Sequence, residues 1–465
     1  MKKICLFALI LLMLLAAIPV SATEQQPPVN ESVSCYSLDA TSAILGKDEL
    51  IKNSDAIIVY ERKSQTMMYS WNPDAAVFPA SLVKIMTGLI VAEEGNMEEA
   101  ITVKESVLSL IPYDAATIDL QPDEVLTLKD LYYCMMVASA NDAAAILADH
   151  LYGSQEAFVE KMNNYATELG CTGTNFVNVH GLHDDQQRTT VRDMGKILDV
   201  AMSNEIFAAA FGTEKYTVNA TNKSEERSLL TGNYLMSTED VEYYYDSRVT
   251  GGRTGVTTEG YRNIAVSAES ETMELISIIA GAESKISDYG YVEVFGGYTE
   301  TSELLDMCFD NYKISQVVYD GQVLTQMPVA NGECDVVLGP GNNALAVLPY
   351  NVTIADLSYR YPSSGMNFNA PIKKGDLVSS VQVWYKNMCV AEADLYAMND
   401  VDYFQIDSPQ QEIIQSGNGS TGVWVVFVAL GAVAVFFVLR TVNNLKRKAT
   451  AHRNRSNRRN QKGSN

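Results

Sequence analysis

The chain has 465 residues, 47% hydrophobic and 20% charged, with 34 basic residues against 57 acidic ones and a formal net charge of −23. That length exceeds one ordinary core and predicts two folded domains with appendages. The acidic balance excludes a protein held on nucleic acid by phosphate contacts, and the few, scattered histidines and cysteines offer no metal-ligand spacing, so neither metal nor cofactor is expected.

Residues 1–22 combine Lys2 and Lys3, an apolar run over 4–18 and the small-residue end Val20-Ser21-Ala22, the pattern of a secretory leader cleaved near Ala22. Residues 23–40 form a polar, proline-containing spacer, and a first domain is expected over 41–315. It opens with strands at 56–60 and 66–70 joined through Lys63-Ser64-Gln65, a hairpin. Pro79 and Ala80 then lead into a helix that puts Ser81 in its first turn and Lys84 above it on the same face. Thr127 with Asp130 caps a helix whose apolar face runs through Leu131, Cys134, Met135 and Ala138, making Cys134 a buried thiol. That helix stops at Ser139-Ala140-Asn141, where Asn141 reads as the cap of the next helix, 142–151. A further helix spans 155–169 and ends at Gly170.

Two apolar runs, 263–268 and 273–280, flank Ser270-Glu271-Thr272 as a second hairpin. Strands thus open and close the region while helices fill its middle. The expected fold is an α/β (α+β) domain, an antiparallel sheet whose first and last strands meet, covered by an inserted helical region and finished by a helix over 301–312. Short β-rich runs at 316–319, 334–338, 344–348, 377–385 and 390–395 predict a small all-β domain over 316–405. A linker follows at 406–422, then a transmembrane helix at 423–442, whose residues 423–439 carry no charge. The tail, 443–465, is basic and reads as cytoplasmic. Two basic residues lie in the leader and nine beyond 439, so 23 remain to face all 57 acids, and the external part carries about −34. The six cysteines outside the leader leave disulfides permitted, but a chain of this length does not need them.

Three short motifs fall in order. Ser81-Leu82-Val83-Lys84 sets a hydroxyl beside an amine in an apolar run, where burial lowers the amine's pKa and lets it act as a base for a serine nucleophile. Alone, the pattern far more often marks a helix start with a snorkelling lysine. Ser139-Ala140-Asn141 follows in a break between helices, and Arg253-Thr254-Gly255-Val256 follows just before a strand. Ser-x-x-Lys, Ser-Asp-Asn and Lys-Thr-Gly are the motif set of penicillin-binding proteins and β-lactamases, and here the later two carry one substitution each. Just ahead of the third, the acidic, tyrosine-rich stretch 238–246 reads as a solvated loop.

From about Ala56 to Tyr403 the chain resembles the low-molecular-mass penicillin-binding proteins of the D-alanyl-D-alanine carboxypeptidase type. Ser154-Gln155-Glu156-Ala157-Phe158, Thr174-Asn175-Phe176-Val177-Asn178, His180-Gly181-Leu182 and Thr189-Thr190-Val191-Arg192-Asp193-Met194 add to the likeness. The resemblance implies a β-lactamase-like transpeptidase domain that cleaves between two terminal D-alanines of a peptidoglycan stem peptide and is acylated by β-lactams. It assigns Ser81 as nucleophile, Lys84 as base, Ser139 as proton relay, Asn141 as partner of Lys84 or of the substrate amide, and the amides of Ser81 and Val256 as oxyanion hole. Arg253, Thr254, Gly255 and Val256 would bind substrate, with Arg253 on the terminal carboxylate; His180 would hold a scaffold loop. The family usually has lysine where this chain has Arg253, which keeps the charge but cannot share its proton. Two alternatives follow: a weakly active penicillin-binding module, structural or regulatory, or a β-lactamase.

Overall fold

The computed structural model describes residues 53–405 apart from 238, 240–241, 287–292 and 362–367, together with 38 and 43–45. The leader at 1–22, the linker at 406–422, the apolar segment at 423–442 and the basic tail at 443–465 lie outside the described residues. Among those described, no helix is long and apolar enough to cross a membrane.

Strands β1 (Ala56–Glu61) and β2 (Thr66–Trp71) form the first hairpin. A 3-10 turn, Ala80–Leu82, feeds α1 (Val83–Glu94), after which come β3 (Ala100–Thr102), α2 (Glu105–Leu108), β4 (Val125–Thr127), α3 (Leu128–Ala138), α4 (Asn141–Tyr152), α5 (Gln155–Glu168), α6 (Val191–Ala201) and α7 (Glu205–Phe211). A ribbon of β5 (Lys215–Val218) and β6 (Arg227–Leu230) closes this helical portion. The chain then returns to the sheet through β7 (Val249–Val256), β8 (Arg262–Glu269) and β9 (Glu274–Ala282), and a short ribbon of β10 (Ser284–Ile286) and β11 (Glu293–Phe295) precedes α8 (Gly296–Asn311).

The sheet runs β2-β1-β9-β8-β7 and is antiparallel, and β1 pairs with β9 from Ala56 opposite Ala280 to Glu61 opposite Leu275. The first and last strands therefore meet, as the alternation of elements predicts. Every residue of β1 is buried because both faces are covered. Ile58 and Tyr60 pack toward the helices, whereas Ile57 and Val59 pack with Leu304, Leu305 and Cys308 of α8. The result is three layers, with α1 at the centre of the helical one. Ten consecutive residues of α1, 83–92, are buried, which suits a helix apolar around its circumference.

The all-β region consists of β12 (Tyr312–Val318), paired with β15 (Ala344–Pro349), and a five-stranded sheet. That sheet runs β13 (Thr325–Met327), β14 (Val336–Pro340), β18 (Met388–Ala397), β17 (Leu377–Tyr385) and β16 (Leu357–Arg360). β12 spans the expected boundary at 315/316. Of the stretch 238–246, Tyr243 stands in solvent, but Tyr244 is buried against Phe295 and Tyr298 and Asp246 pairs with Arg248. An aromatic cluster thus pins part of what reads in sequence as a solvated loop. Cys134 and Cys308 are buried free thiols, Cys171 and Cys389 are buried as well, and Cys334 is exposed.

Candidate active site

The nucleophile's turn is placed by the core beneath it. Leu82, Val83, Ile85 and Met86 are all buried, so the first turn of α1 cannot rotate without exposing them, and Lys84 is carried to full burial on the same turn. Ser81 Oγ lies 3.5 Å from Lys84 Nζ, on the half-exposed side. Nζ also bonds to Asn141 Oδ1 at 2.7 Å and to the carbonyl oxygen of His180. A neutral amine has two N–H bonds and one lone pair. With both N–H groups so engaged, the lone pair is left for the Ser81 hydroxyl. Burial pushes the Lys84 pKa well below the ordinary lysine range, and the Arg253 charge pushes it the same way against an opposing effect of Asp142.

The second motif comes from the break between α3 and α4. Ser139 ends α3 in the left-handed conformation (φ 61) and donates from Oγ to Ser81 Oγ at 3.2 Å. Asn141 is not the cap of α4. Ala140 holds the cap position with no side-chain bond, and Asn141, the first helical residue, spends its carboxamide on the buried amine. A buried ammonium or amine without an acceptor costs more than an unfilled helix cap, which decides the competition. The next residue, Asp142, accepts from the amides of Ile118, Leu120 and Ala143, and the Asn141 amide donates to Ala116, so α4 also fastens the cleft rim at 114–120.

The third motif lies on β7, the edge strand beside the 3-10 turn. A Cβ at Gly255 would sit 2.8 Å from the Ser81 amide nitrogen, so only glycine lets the strand come this close. Gly181 is the matching case on the opposite side: its φ is +89 and a Cβ would collide with the Ala80 carbonyl. Thr254, Gly255 and Val256 line a cleft of about 400 Å³ together with Ser81, Ser139 and Asn141. Arg253 does not. Its side chain passes beneath Ser81, where Nη1 and Nη2 donate to the carbonyls of Met136 and Met135 and Nε donates to the Ser81 carbonyl at 3.2 Å. Burial pulls its pKa down to about 10.

Three contributors escape a reading by motif. The His180 carbonyl is one, and burial with the nearby Lys84 holds its imidazole's pKa down at about 3, so the ring is neutral and its Nδ1 accepts from the Leu182 amide. Asn263, buried in β8, donates to the carbonyls of Phe78 and Pro79 and accepts from Gly281, tying the approach to Ser81 onto the sheet. A polar residue opening an otherwise apolar strand is the trace it leaves in the sequence. Asp142 is the third. Among the described residues no group of three or more His, Cys, Asp or Glu could hold a metal ion.

Comparison with known proteins gives the family. Residues 46–284 match the peptidase S11 model, D-alanyl-D-alanine carboxypeptidase, and residues 312–403 match the C-terminal domain of penicillin-binding protein 5. The chain is 27% identical over 387 residues to D-alanyl-D-alanine carboxypeptidase DacA of Haemophilus influenzae, covering 80% of this chain and 91% of the relative. It is 28% identical over 359 residues to DacC of Escherichia coli, covering 75% and 84%. The crystal structure of penicillin-binding protein 5 from Haemophilus influenzae superposes with a TM-score of 0.64 at 26% identity, over 77% of this chain and all of that one. With the serine, lysine, Ser-x-Asn and Thr-Gly elements gathered in one cleft and the family model spanning more than half of its length, the chain belongs to the S11 family of D-alanyl-D-alanine carboxypeptidases.

Proposed function

We propose that this protein removes the terminal D-alanine from peptidoglycan stem pentapeptides through an acyl-enzyme on Ser81. The carrying observation is the Lys84 environment: an amine buried without a carboxylate bonded to it, its two N–H groups engaged, and the Ser81 hydroxyl on its remaining side. Lys84 takes the hydroxyl proton as Ser81 Oγ attacks the carbonyl between the two D-alanines. The oxyanion is received by the amides of Ser81 and Val256, each such donor being worth on the order of 3 kcal/mol in the transition state. Ser139 relays the proton taken up by Lys84 to the leaving amine, the bond to D-alanine breaks, and Lys84, neutral again, serves as base while water hydrolyses the ester. Asn141 orients Lys84, and Thr254, Gly255 and Val256 line the stretch of cleft that holds the substrate's end.

A β-lactam presents an acyl-D-Ala-D-Ala-like amide and acylates Ser81 by the same first steps. The leader at 1–22 and the apolar segment at 423–442 with its basic tail support an extracytoplasmic domain held to the membrane by the C-terminus. Labelling the protein with a fluorescent penicillin tests the reading. A long-lived adduct on the native protein, absent from Ser81→Ala, is expected. An adduct that persists in Ser81→Ala identifies another nucleophile, and rapid turnover of the drug indicates a β-lactamase.

A further inference from the structure

Arg253 carries a full positive charge and is only 4% exposed, yet it has no carboxylate among its hydrogen-bond partners and no place on the cleft wall. On β7 it projects to the same face as Gly255, the face packed against the Ser81 turn, so its long side chain has one direction to run, beneath that turn. There the planar guanidinium meets two helix-terminal carbonyls at once. Met135 and Met136 belong to the last turn of α3, whose final carbonyls have no partner within the helix, and a cation there is favoured by the helix dipole. The third donor, Nε, reaches the carbonyl of Ser81 itself.

We infer that Arg253 is a positioning residue: it clips the end of α3 to the backbone of the nucleophile's turn, holding Ser139 against Ser81, instead of receiving the substrate's terminal carboxylate. A guanidinium fork gives each of the three carbonyls its own nitrogen, whereas an ammonium has all three N–H bonds on one atom, which accounts for arginine at this position. The clip also sets the charge around the base. Lys84 is faced by Ser81 of its own turn, by Ser139 from α3, by Asn141 and Asp142 from α4, by the neutral His180 from the loop between α5 and α6, and by Arg253 from β7, with Tyr132 of α3 on Arg253's other side. Arg253 is the one cation in that set.

The inference rests on the acyl-enzyme reading above, and its test separates the two. In the full-length protein, Arg253→Gln and Arg253→Lys are compared with the native chain by rapid-mixing acylation with a penicillin across pH 5–10, resolving the limiting rate from the saturation constant. Hydrogen exchange of the segment 135–141 is followed in parallel. Arg253→Gln is expected to slow the limiting rate by about 100-fold through a small misplacement of Ser139 and Ser81, with the saturation constant little changed. The acid limb of its profile moves to higher pH, because Lys84 loses a like charge and holds its proton more tightly. Arg253→Lys keeps the limb near its native position, recovers the rate only in part, and exchanges faster than native over 135–141. A raised saturation constant with an unchanged limiting rate assigns Arg253 to the carboxylate and overturns the inference, as does native exchange over 135–141 in both variants. If Arg253→Gln does not fold, Arg253→Lys decides: native rate and native exchange refute the clip. Failure of the native protein to label refutes the acyl-enzyme reading alone, and the exchange result still judges the clip.

Discussion

Asn141 Oδ1 accepts from Lys84 Nζ at 2.7 Å, and this bond joins the start of one helix to the first turn of another across the floor of the cleft. It holds the amine where its remaining side meets Ser81. Asn141→Ala leaves a buried N–H without its acceptor, expected to cost about 1–3 kcal/mol in denaturant unfolding. Acylation by penicillin is expected to fall about 10²-fold as Lys84 loses its fixed position. Native kinetics in this variant would show that the His180 carbonyl alone suffices.

The base form of Lys84 is the reactive one, and burial with the Arg253 charge lowers its pKa, so the acylation rate should rise with pH through the folded pKa and level off well below the ordinary lysine value. Lys84→Arg keeps a cation at this position that holds its proton through the neutral range, since the ordinary arginine pKa lies above about 12. Its acylation should be abolished at neutral pH. A residual rate with an unchanged pH profile would move the base elsewhere.

His180 supplies a carbonyl, not an imidazole, to this chemistry. Its pKa near 3 in the fold lies below the ordinary histidine value of about 6.5. The unfolded chain therefore takes up a proton first as pH falls. The stability from burying a neutral ring is full above about pH 6.5 and declines as pH drops toward 3, by about 3 kcal/mol at pH 4. Comparing urea unfolding at pH 7 and pH 4, His180→Gln should lose less stability on acidification than the native chain. The acid limb of acylation should stay in place in that variant, since the ring does not titrate within it.

Much of this arrangement is legible in the chain itself, for identifiable reasons. The two hairpins, the capped helix after Thr127 and the serine-lysine turn are local, and turn residues or one-face periodicity announce them. Asn141 is misread as a cap because cap preference is local, while the acceptor demand of a buried amine on another helix is not visible within one window. The surroundings of Arg253 are hidden from one window in the same way: its motif suggests an anion partner, while strand direction and the depth of α3's end bring three carbonyls within its reach. The short strands β13 and β16 escape the residue patterns because they are brief, whereas α6 and α7 carry local signals left unread, Thr190 accepting from the Asp193 amide and Asn204 from those of Ile206 and Phe207.

Gly255→Ala tests the close approach of β7 to the nucleophile. The added methyl would lie 2.8 Å from the Ser81 amide nitrogen and 3.0 Å from Ala80 Cβ, so strand and turn must separate. Penicillin acylation is expected to fall by about 10²-fold or more, with thermal stability changed far less because β7 is an edge strand. An unaffected rate would remove the amide of Ser81 from the oxyanion hole.

Asn263→Ala removes the partners of two carbonyls and one amide in the buried approach to Ser81, and an unfolding cost of about 2–3 kcal/mol is expected. The same variant should acylate slowly without changing the pH dependence, since no titrating group is touched. A stability loss within 0.5 kcal/mol, the size typical of surface changes, would contradict the account.

The central claim is that Ser81, activated by Lys84, turns over a D-alanyl-D-alanine peptide. Its most direct test is the release of free D-alanine from an acylated peptide ending in D-Ala-D-Ala by the purified protein and by Ser81→Ala. Release by the native chain that vanishes in Ser81→Ala is the expected result. Release that survives in Ser81→Ala, or a native chain that takes up penicillin on Ser81 yet frees no D-alanine, would contradict it.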